Sequence, residues 1–500
     1  MAEAAVRNIV IVGGGTAGWM AAALLARFLD KRYTIHLVES EEIGTVGVGE
    51  ATIPMLRFVN QALGFDEHDF VRATQGSFKL GIEFDGWLKP GHKYIHAFGA
   101  IGRGLGLTAF QHFWLRRQKD GDGRSLWNYS PCALAAYGNS FGPIEAAPGS
   151  PPSGFSWAYH FDAGLYAAYL RKFAEQQGVL RTEGKIVHVC LNGGTGNIAS
   201  VRLDNDREVA GDFFLDCTGF RALLIGGVLQ RDYEDWSHWL RCDRAVAVPC
   251  AGVTPILPYT RSTARKAGWQ WRIPLQHRIG NGHVYCSAHL SDDEAAGTLL
   301  ANLDGEALAE PRFLKFKTGM RQESWYKNCV AVGLASGFME PLESTSIHLI
   351  QTAVDRFLKF LPGEGLCDAD IAEYNRQNRF EWETIRDFLI LHYHRNERDE
   401  PFWKECAQMP IPGRLQRKIE LFEASGRIFR EHEELFTEVG WLQVLLGQGV
   451  TPRAYHPLAD NLDAAQFLEF MELAEKAAKL VAGKAIAHDE YLNRFCKAGS

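Results

Sequence analysis

The chain has 500 residues, which at about 150 residues per domain predicts three domains or one large two-part enzyme. A content of 46% apolar and 23% charged residues is that of a globular protein and excludes a disordered or fibrous chain. Lys and Arg total 53 against 60 Asp and Glu, a formal charge of −7 with no basic block, which excludes a general nucleic-acid binder.

Residues 9–26 carry no charge and follow Arg7, so they imitate a signal peptide or a short membrane span. Gly13, Gly14 and Gly15 divide the stretch, and each glycine costs a helix about 1 kcal/mol relative to alanine. It therefore reads as strand, turn and helix. Asn8 to Val12 is the strand, Trp19 to Leu29 the helix, and Tyr33 to Val38 a second strand. No other stretch approaches the roughly 18 apolar residues of a span. Residues 60–150 are mixed, rich in glycine and aromatics, with few periodic segments. Residues 146–154, with Pro148, Pro151 and Pro152, form a loop. Leu165 to Gln177 predicts a helix stopped by Gly178. Ile186–Val189, Ile198–Leu203 and Phe213–Cys217 predict strands, the first two joined by the turn at 192–197. A buried strand near Cys329 runs into a loop at Gly333. From about 361 the pattern turns helical and charged, as in Arg414 to Phe436 and Leu462 to Val481. The fold class is α/β: a Rossmann-like nucleotide-binding fold with β-meander insertions and a helical C-terminal part, divided as residues 1–360 and 361–500. The 10 cysteines include no Cys-x-x-Cys pair. That predicts reduced thiols in the cytoplasm and no metal site.

Gly13-x-Gly15-x-x-Gly18 lies between the first strand and helix. Its glycines permit a tight turn and let the backbone approach a pyrophosphate at the helix N-terminus. Glu39 ends the second strand about 20 residues on, where a carboxylate accepts from an adenosine ribose. This fingerprint fits FAD or NAD alike. The strand and glycine turn Phe213–Gly219, following a meander, shift the balance to FAD. Trp269 and Trp271 share one face if they lie on a strand, and Pro274 ends that strand's ladder.

Trp269-x-Trp271-x-Ile273-Pro274 together with Gly13-Gly-Gly-Thr-Ala-Gly-Trp19 resembles the flavin-dependent tryptophan halogenase family. Further marks follow along nearly the whole chain: Gly47-Val-Gly-Glu-Ala-Thr-Ile-Pro54, Phe78-Lys79-Leu80-Gly81 and Phe338-x-x-Pro341-x-Glu343-Ser344-Thr345. The resemblance implies FAD, used as FADH2, held by Gly13, Gly15, Thr16, Ala17, Gly18, Glu39, Ala51 and Leu334. It implies O2 and a halide ion, chloride or bromide, with Thr345 and Ser346 as the halide site. Residues 47–54 would be a strap between the flavin and substrate compartments. Trp269 and Trp271 would shield the flavin, and hypohalous acid would travel within the protein to Lys79. Lys79 and Glu343 would be catalytic, a buried carboxylate and an ammonium being natural partners. His96, Phe98 and Trp441 would meet the substrate, a small aromatic and first of all an indole. A separate NADH-dependent flavin reductase would be the partner, because the chain has no second nucleotide loop. A homodimer is admitted as the assembly.

Two places depart from the family pattern. Ser346 stands where a glycine is common, and serine tolerates positive φ less well. Trp441-Leu442 stands where members that take free tryptophan carry a Tyr-Tyr pair, and neither residue supplies a phenol hydroxyl. A simpler indole, or a larger indole-bearing molecule, is the expected substrate. The alternative is a flavin aromatic hydroxylase, which has no need of Lys79. It would carry an acid in a Gly-Asp pair after the Cys329 strand, and that pair is absent.

Overall fold

The computed structural model describes residues 6–43, 49–145, 154–363 and 365–499. The contacts group into two compact units that are interleaved in sequence. One comprises Met1–Gly76, Phe161–His238 and Phe316–Trp382, the other Ser77–His160, Trp239–Lys315 and Glu383–Ser500. The position near 360 lies inside the last segment of the first unit.

The first unit is built on a six-stranded sheet in the order Trp325–Tyr326, Cys329–Ala331, Phe213–Asp216, Asn8–Val12, Thr34–Glu39 and Leu180–Glu183. The last five run parallel. The apolar runs of Cys329–Ala331, Phe213–Asp216 and Asn8–Val12 follow from burial on both faces. The helix Thr16–Phe28 returns the chain between the first two strands and packs on the helices Ala163–Gln176 and Ser346–Lys359. It begins three residues before the predicted start, directly at Gly15. The meander Ile186–Leu191, Ile198–Leu203 and Glu208–Ala210 covers the sheet through Ile198, Val201 and Leu203, which join Val10, Val12 and Phe214 in one core cluster. Each such side chain, fully buried, contributes about 1.5–3 kcal/mol.

The second unit carries a seven-stranded sheet in the order Arg312–Lys315, Arg244–Ala251, Arg278–Tyr285, Gly268–Pro274, Thr260–Arg265, Gly81–Asp85 and Lys93–Ala97. Neighbours are antiparallel except Thr260–Arg265 with Gly81–Asp85. The register aligns Trp271 with Ser262, Ser262 with Phe84, and Phe84 with Tyr94. Because strand side chains alternate with period two, Trp269, Trp271, Phe84, Tyr94 and His96 all share one face. Lys93–Ala97 is the edge strand. Gln443 closes that edge, its Oε1 accepting from Ala97 N at 2.9 Å and its Nε2 donating to Ala97 O at 3.0 Å. Buried backbone groups require such partners.

The stretch from about residue 60, which shows few periodic segments in sequence, contains several short elements, among them the helices Phe110–Lys119 and Pro131–Tyr137, and the helix Met55–Leu63 leads into it. The helix expected over Arg414 to Phe436 is shorter, Gly413–Ser425. Gly426 takes the left-handed conformation at φ 66° and stops it. Among the described residues no helix is long and apolar enough to cross a membrane, and the chain at 9–26 is strand, turn and helix.

Candidate active site

In the first unit the glycine loop bends as a nucleotide cradle must. Gly13 sits at φ +110°, and a Cβ there would lie 2.3 Å from the Cys217 carbonyl oxygen. The loop after the strand Phe213–Asp216 thus reaches the glycines, as the order of motifs implies. The helix Thr16–Phe28 starts at Gly15 with no capping side chain and no acid in its first turn. Its leading N–H groups and positive dipole end suit a pyrophosphate. Glu39 lies against the backbone of Gly14. Its Oε1 accepts from Arg181 Nε at 2.6 Å and its Oε2 from Trp19 Nε1 at 3.3 Å. A carboxylate has about four acceptor positions, so Glu39 keeps capacity for a ribose hydroxyl. Gly333 opens the turn Gly333–Ala335, which holds Leu334. A Cβ at Gly333 would lie 3.0 Å from Ala17 Cβ, so this turn rests on the first turn of the helix.

Gly13→Ala is expected to weaken FAD binding at least about tenfold, since strain of about 1–3 kcal/mol must be relieved by moving the loop. Fluorescence titration of FAD checks this. Wild-type affinity in the variant would mean that the loop does not cradle the nucleotide.

Gly47 and Val48 of the strap segment lie outside the described residues. The rest runs as the strand Gly49–Ala51, with Ala51 buried, and leads into the helix Met55–Leu63. Sequence reasoning passed over Glu50, whose carboxyl is pushed up to about 7 by loss of hydration. Its signal was a lone acid in an otherwise uncharged stretch.

Also in the first unit, Glu343 closes the short turn Pro341–Glu343 and is buried. Ser344 takes φ 59°, Thr345 is the N-cap residue, and the helix runs Ser346–Lys359 without a capping side chain. This corrects the expectation for Ser346. It is the first helical residue, so serine costs no left-handed strain there, and the left-handed position belongs to Ser344. One turn on, His348 Nε2 meets Glu381 Oε1 at 3.1 Å and Arg356 Nη2 meets Glu381 Oε2 at 2.7 Å. Burial opposes the Glu381 charge, yet these two partners hold its carboxyl down to about 2.

In the second unit Lys79 is fully buried on the strand Ser77–Lys79. Its Nζ lies 5.3 Å from the centre of the Phe98 ring, a distance at which the ring face attracts a cation. Phe98 follows the edge strand, and its N–H donates to Leu80 O at 2.8 Å, which ties it to the residue after Lys79. His96 lies 5.7 Å from the Phe388 ring and 6.1 Å from the Phe436 ring, which stack on each other at 3.7 Å. Phe388 also meets Trp441 edge-on at 4.8 Å. His96 and Trp441 are thus joined through Phe388, and Lys79 with Phe98. Phe388 and Phe436 were missed. Phe388 lies in the helix Asp368–His394, where no motif sets it apart from a core residue, and Phe436 falls in the stretch Arg414 to Phe436 expected as one helix, which Gly426 ends early. Trp441 is buried, with the Lys418 ammonium 5.1 Å over its ring.

Trp269 and Trp271 do share one strand face, with ring centres 6.1 Å apart. Trp271 lies directly over Gly282, where a Cβ would come within 2.0 Å of the indole. Trp269 meets Trp87, which contacts Trp403 and Tyr393. Among the described residues there is no group of three or more His, Cys, Asp or Glu able to hold a metal.

The sequence matches the tryptophan halogenase family model over residues 8–464. The chain belongs to the tryptophan halogenase family. It is 34% identical over 506 residues to tryptophan 6-halogenase SttH of Streptomyces toxytricini, with 95% of each chain covered. A flavin-dependent halogenase from Xanthomonas campestris matches its structure with TM-score 0.96 at 48% identity over 99% of each chain. BrvH, a flavin-dependent halogenase from Brevundimonas sp. BAL3, matches with TM-score 0.94 at 43% identity, over 98% of this chain and 99% of the other. As a flavin-dependent halogenase the protein uses FADH2, O2 and a halide, and the hydroxylase reading is not favoured. Enzymes of this family take reduced flavin from a separate reductase and act on small aromatic substrates.

Proposed function

We propose that this halogenase places bromine or chlorine on the electron-rich ring of an indole that lacks an amino-acid end. The observation that carries the reading is Trp441. It is buried against Phe388 and beneath Lys418, and Leu442 beside it is buried too, so no phenol hydroxyl stands there to grip a substrate carboxylate or ammonium. The residues fit FAD: the first turn of Thr16–Phe28 with Gly13, Gly15 and Gly18 would hold the pyrophosphate, Glu39 the ribose, and Ala51 and Leu334 the flavin side. When bound, the reduced flavin would supply two of the four electrons that reduce O2, and the halide would give up the other two as it becomes hypohalous acid.

The chain's own residues do the rest. The uncapped helix start at Thr345 and Ser346 holds the halide with backbone N–H groups. Lys79 receives the electrophilic halogen through its amine, which is a hydrogen-bond donor when charged and a nucleophile when not. Glu343 takes the ring proton that leaves as the carbon–halogen bond forms. His96 and Phe98 hold the indole plane, and Trp269 and Trp271 keep organic substrate from the flavin. The enzyme works in the cytoplasm beside an NADH-dependent reductase. All ten cysteines being free thiols supports that compartment.

The test is purified protein with a flavin reductase, NADH, FAD, bromide and indole, read by mass spectrometry. Bromoindole is expected, and none is expected when the reductase is omitted. NADH oxidation by the pure protein with FAD alone would overturn the separate-reductase reading.

A further inference from the structure

The strand Ser77–Lys79 pairs antiparallel with Ala158–Asp162, Ser77 opposite His160 and Lys79 opposite Ala158. Alternation puts the Ser77, Lys79 and His160 side chains on one side of this ladder. Phe78 and Tyr159 stand on the other, their rings 6.0 Å apart. Ser77, Lys79 and His160 are all fully buried. Ser77 Oγ lies 2.6 Å from the Pro274 carbonyl oxygen and 3.0 Å from His160 Nδ1. His160 Nε2 lies 2.9 Å from Thr260 Oγ1.

The proton positions follow from counting donors. A hydroxyl has one proton, and a carbonyl oxygen can only accept. The Ser77 proton therefore goes to Pro274, and Ser77 must accept from His160 Nδ1–H. Burial first, then the Lys79, His488 and Arg272 charges, hold His160 well below the ordinary imidazole range, so it is neutral. Its Nε2 then carries a lone pair and accepts from the Thr260 hydroxyl. Donation runs one way, from Thr260 to His160 to Ser77 to Pro274.

Pro274 closes the Trp269-x-Trp271-x-Ile273-Pro274 strand, and Ser77 is two residues before Lys79. We propose that His160, as the neutral Nδ1–H tautomer, is a positioning residue for Lys79, locking the strand that bears the lysine to the Pro274 end of the tryptophan strand. The proposal rests on the reading that Lys79 delivers the halogen. Lysine has a long flexible stem, so the reach of its amine is only as well defined as the backbone beneath it. A misplacement of about 1 Å costs on the order of 10²-fold in rate. A neutral ring also adds no second cation beside Lys79.

The experiment uses the full chain with reductase, NADH, FAD, bromide and indole, and scores bromoindole per flavin oxidised. His160→Leu is expected to lower this yield about 10²-fold, with the indole KM within about twofold and hypobromite recovered by a thioether scavenger in the buffer. His160→Gln can donate to Ser77 and accept from Thr260, and should restore the yield to within about fivefold of wild type. Thr260→Val removes only the Nε2 partner and should cost about fivefold, which keeps the test open if His160→Leu does not fold. Nitrogen-15 NMR of histidine-labelled enzyme at pH 7, with His160→Gln as the assignment control, should show Nδ1 protonated and Nε2 bare. Equal losses in Leu and Gln variants, an unchanged yield in Thr260→Val, or an Nε2–H tautomer would each overturn the proposal. Lys79→Ala run alongside separates the readings. If it brominates normally, the role of Lys79 has failed. If it is inactive while His160→Leu keeps full yield, only the positioning role has failed.

Discussion

Lys79→Ala is expected to lower halogenated product by about 10³-fold or more, while reduced flavin is reoxidised by O2 at an unchanged rate. The lysine is fully buried, and an ammonium is held in such a place at a cost of several kcal/mol unless its surroundings compensate. The Phe98 face at 5.3 Å supplies part of that compensation. The nucleotide loop lies on Gly13 to Gly18 of the other unit, so the variant would remove the proposed halogen carrier without changing any residue of the proposed FAD cradle. Stopped-flow absorbance follows the flavin, and chromatography follows the product. Lys79→Arg sharpens the reading. Arginine keeps the charge and the donors but has no nucleophilic amine at accessible pH. Activity in the Arg variant would mean that hydrogen bonding to the hypohalous acid suffices. A Lys79→Ala variant that reoxidises flavin abnormally would show that the lysine serves the cofactor, and the assignment would fall.

Indole is expected to outcompete free tryptophan by tenfold or more at equal concentration, with halogen entering mainly at C3, in bromide at least as fast as in chloride. One satisfied charged hydrogen bond contributes about 1.5–3 kcal/mol, so an amino-acid clamp would favour tryptophan by at least that factor. Trp441 is packed beneath Lys418 and against Phe388 and offers no such grip. Without a clamp a small indole reacts at its most electron-rich carbon. Bromide is easier to oxidise and less strongly hydrated than chloride. Ser346, being helical, does not deform the first turn where the halide is proposed to sit. The check is a competition of indole with tryptophan in each halide, with products located by NMR. Exclusive chlorination of tryptophan at a benzene-ring carbon would reveal a clamp elsewhere.

Local chemistry made much of this protein legible in the sequence. Gly13 is required by its φ of +110° and Gly18 by the Gly13 carbonyl oxygen, 1.8 Å from where a Cβ would stand, and Trp269 and Trp271 share a face because strands alternate. The boundaries of Asn8–Val12 and Ile198–Leu203 followed from β-branched runs bounded by turn residues. The order of motifs along the chain also identified the family. Where one glycine was overlooked, at 426, a helix was drawn too long.

What only the tertiary structure decided depends on residues far apart in the chain. Gln443 clamps the backbone of Ala97 across 346 positions, and Ser77 meets the Pro274 carbonyl across 197. Neither residue has a sequence pattern that distinguishes it from any other buried Gln or Ser. The His160 ring is held by two partners on different strands, Ser77 at Nδ1 and Thr260 at Nε2, and the stacking of Phe388 on Phe436 joins a helix to an irregular segment. Periodicity reports which side of an element is buried, because that depends on the element alone. The partner that fills a buried donor or packs on a buried ring is chosen by the assembled sheet and helices, so it exists only once the chain has folded.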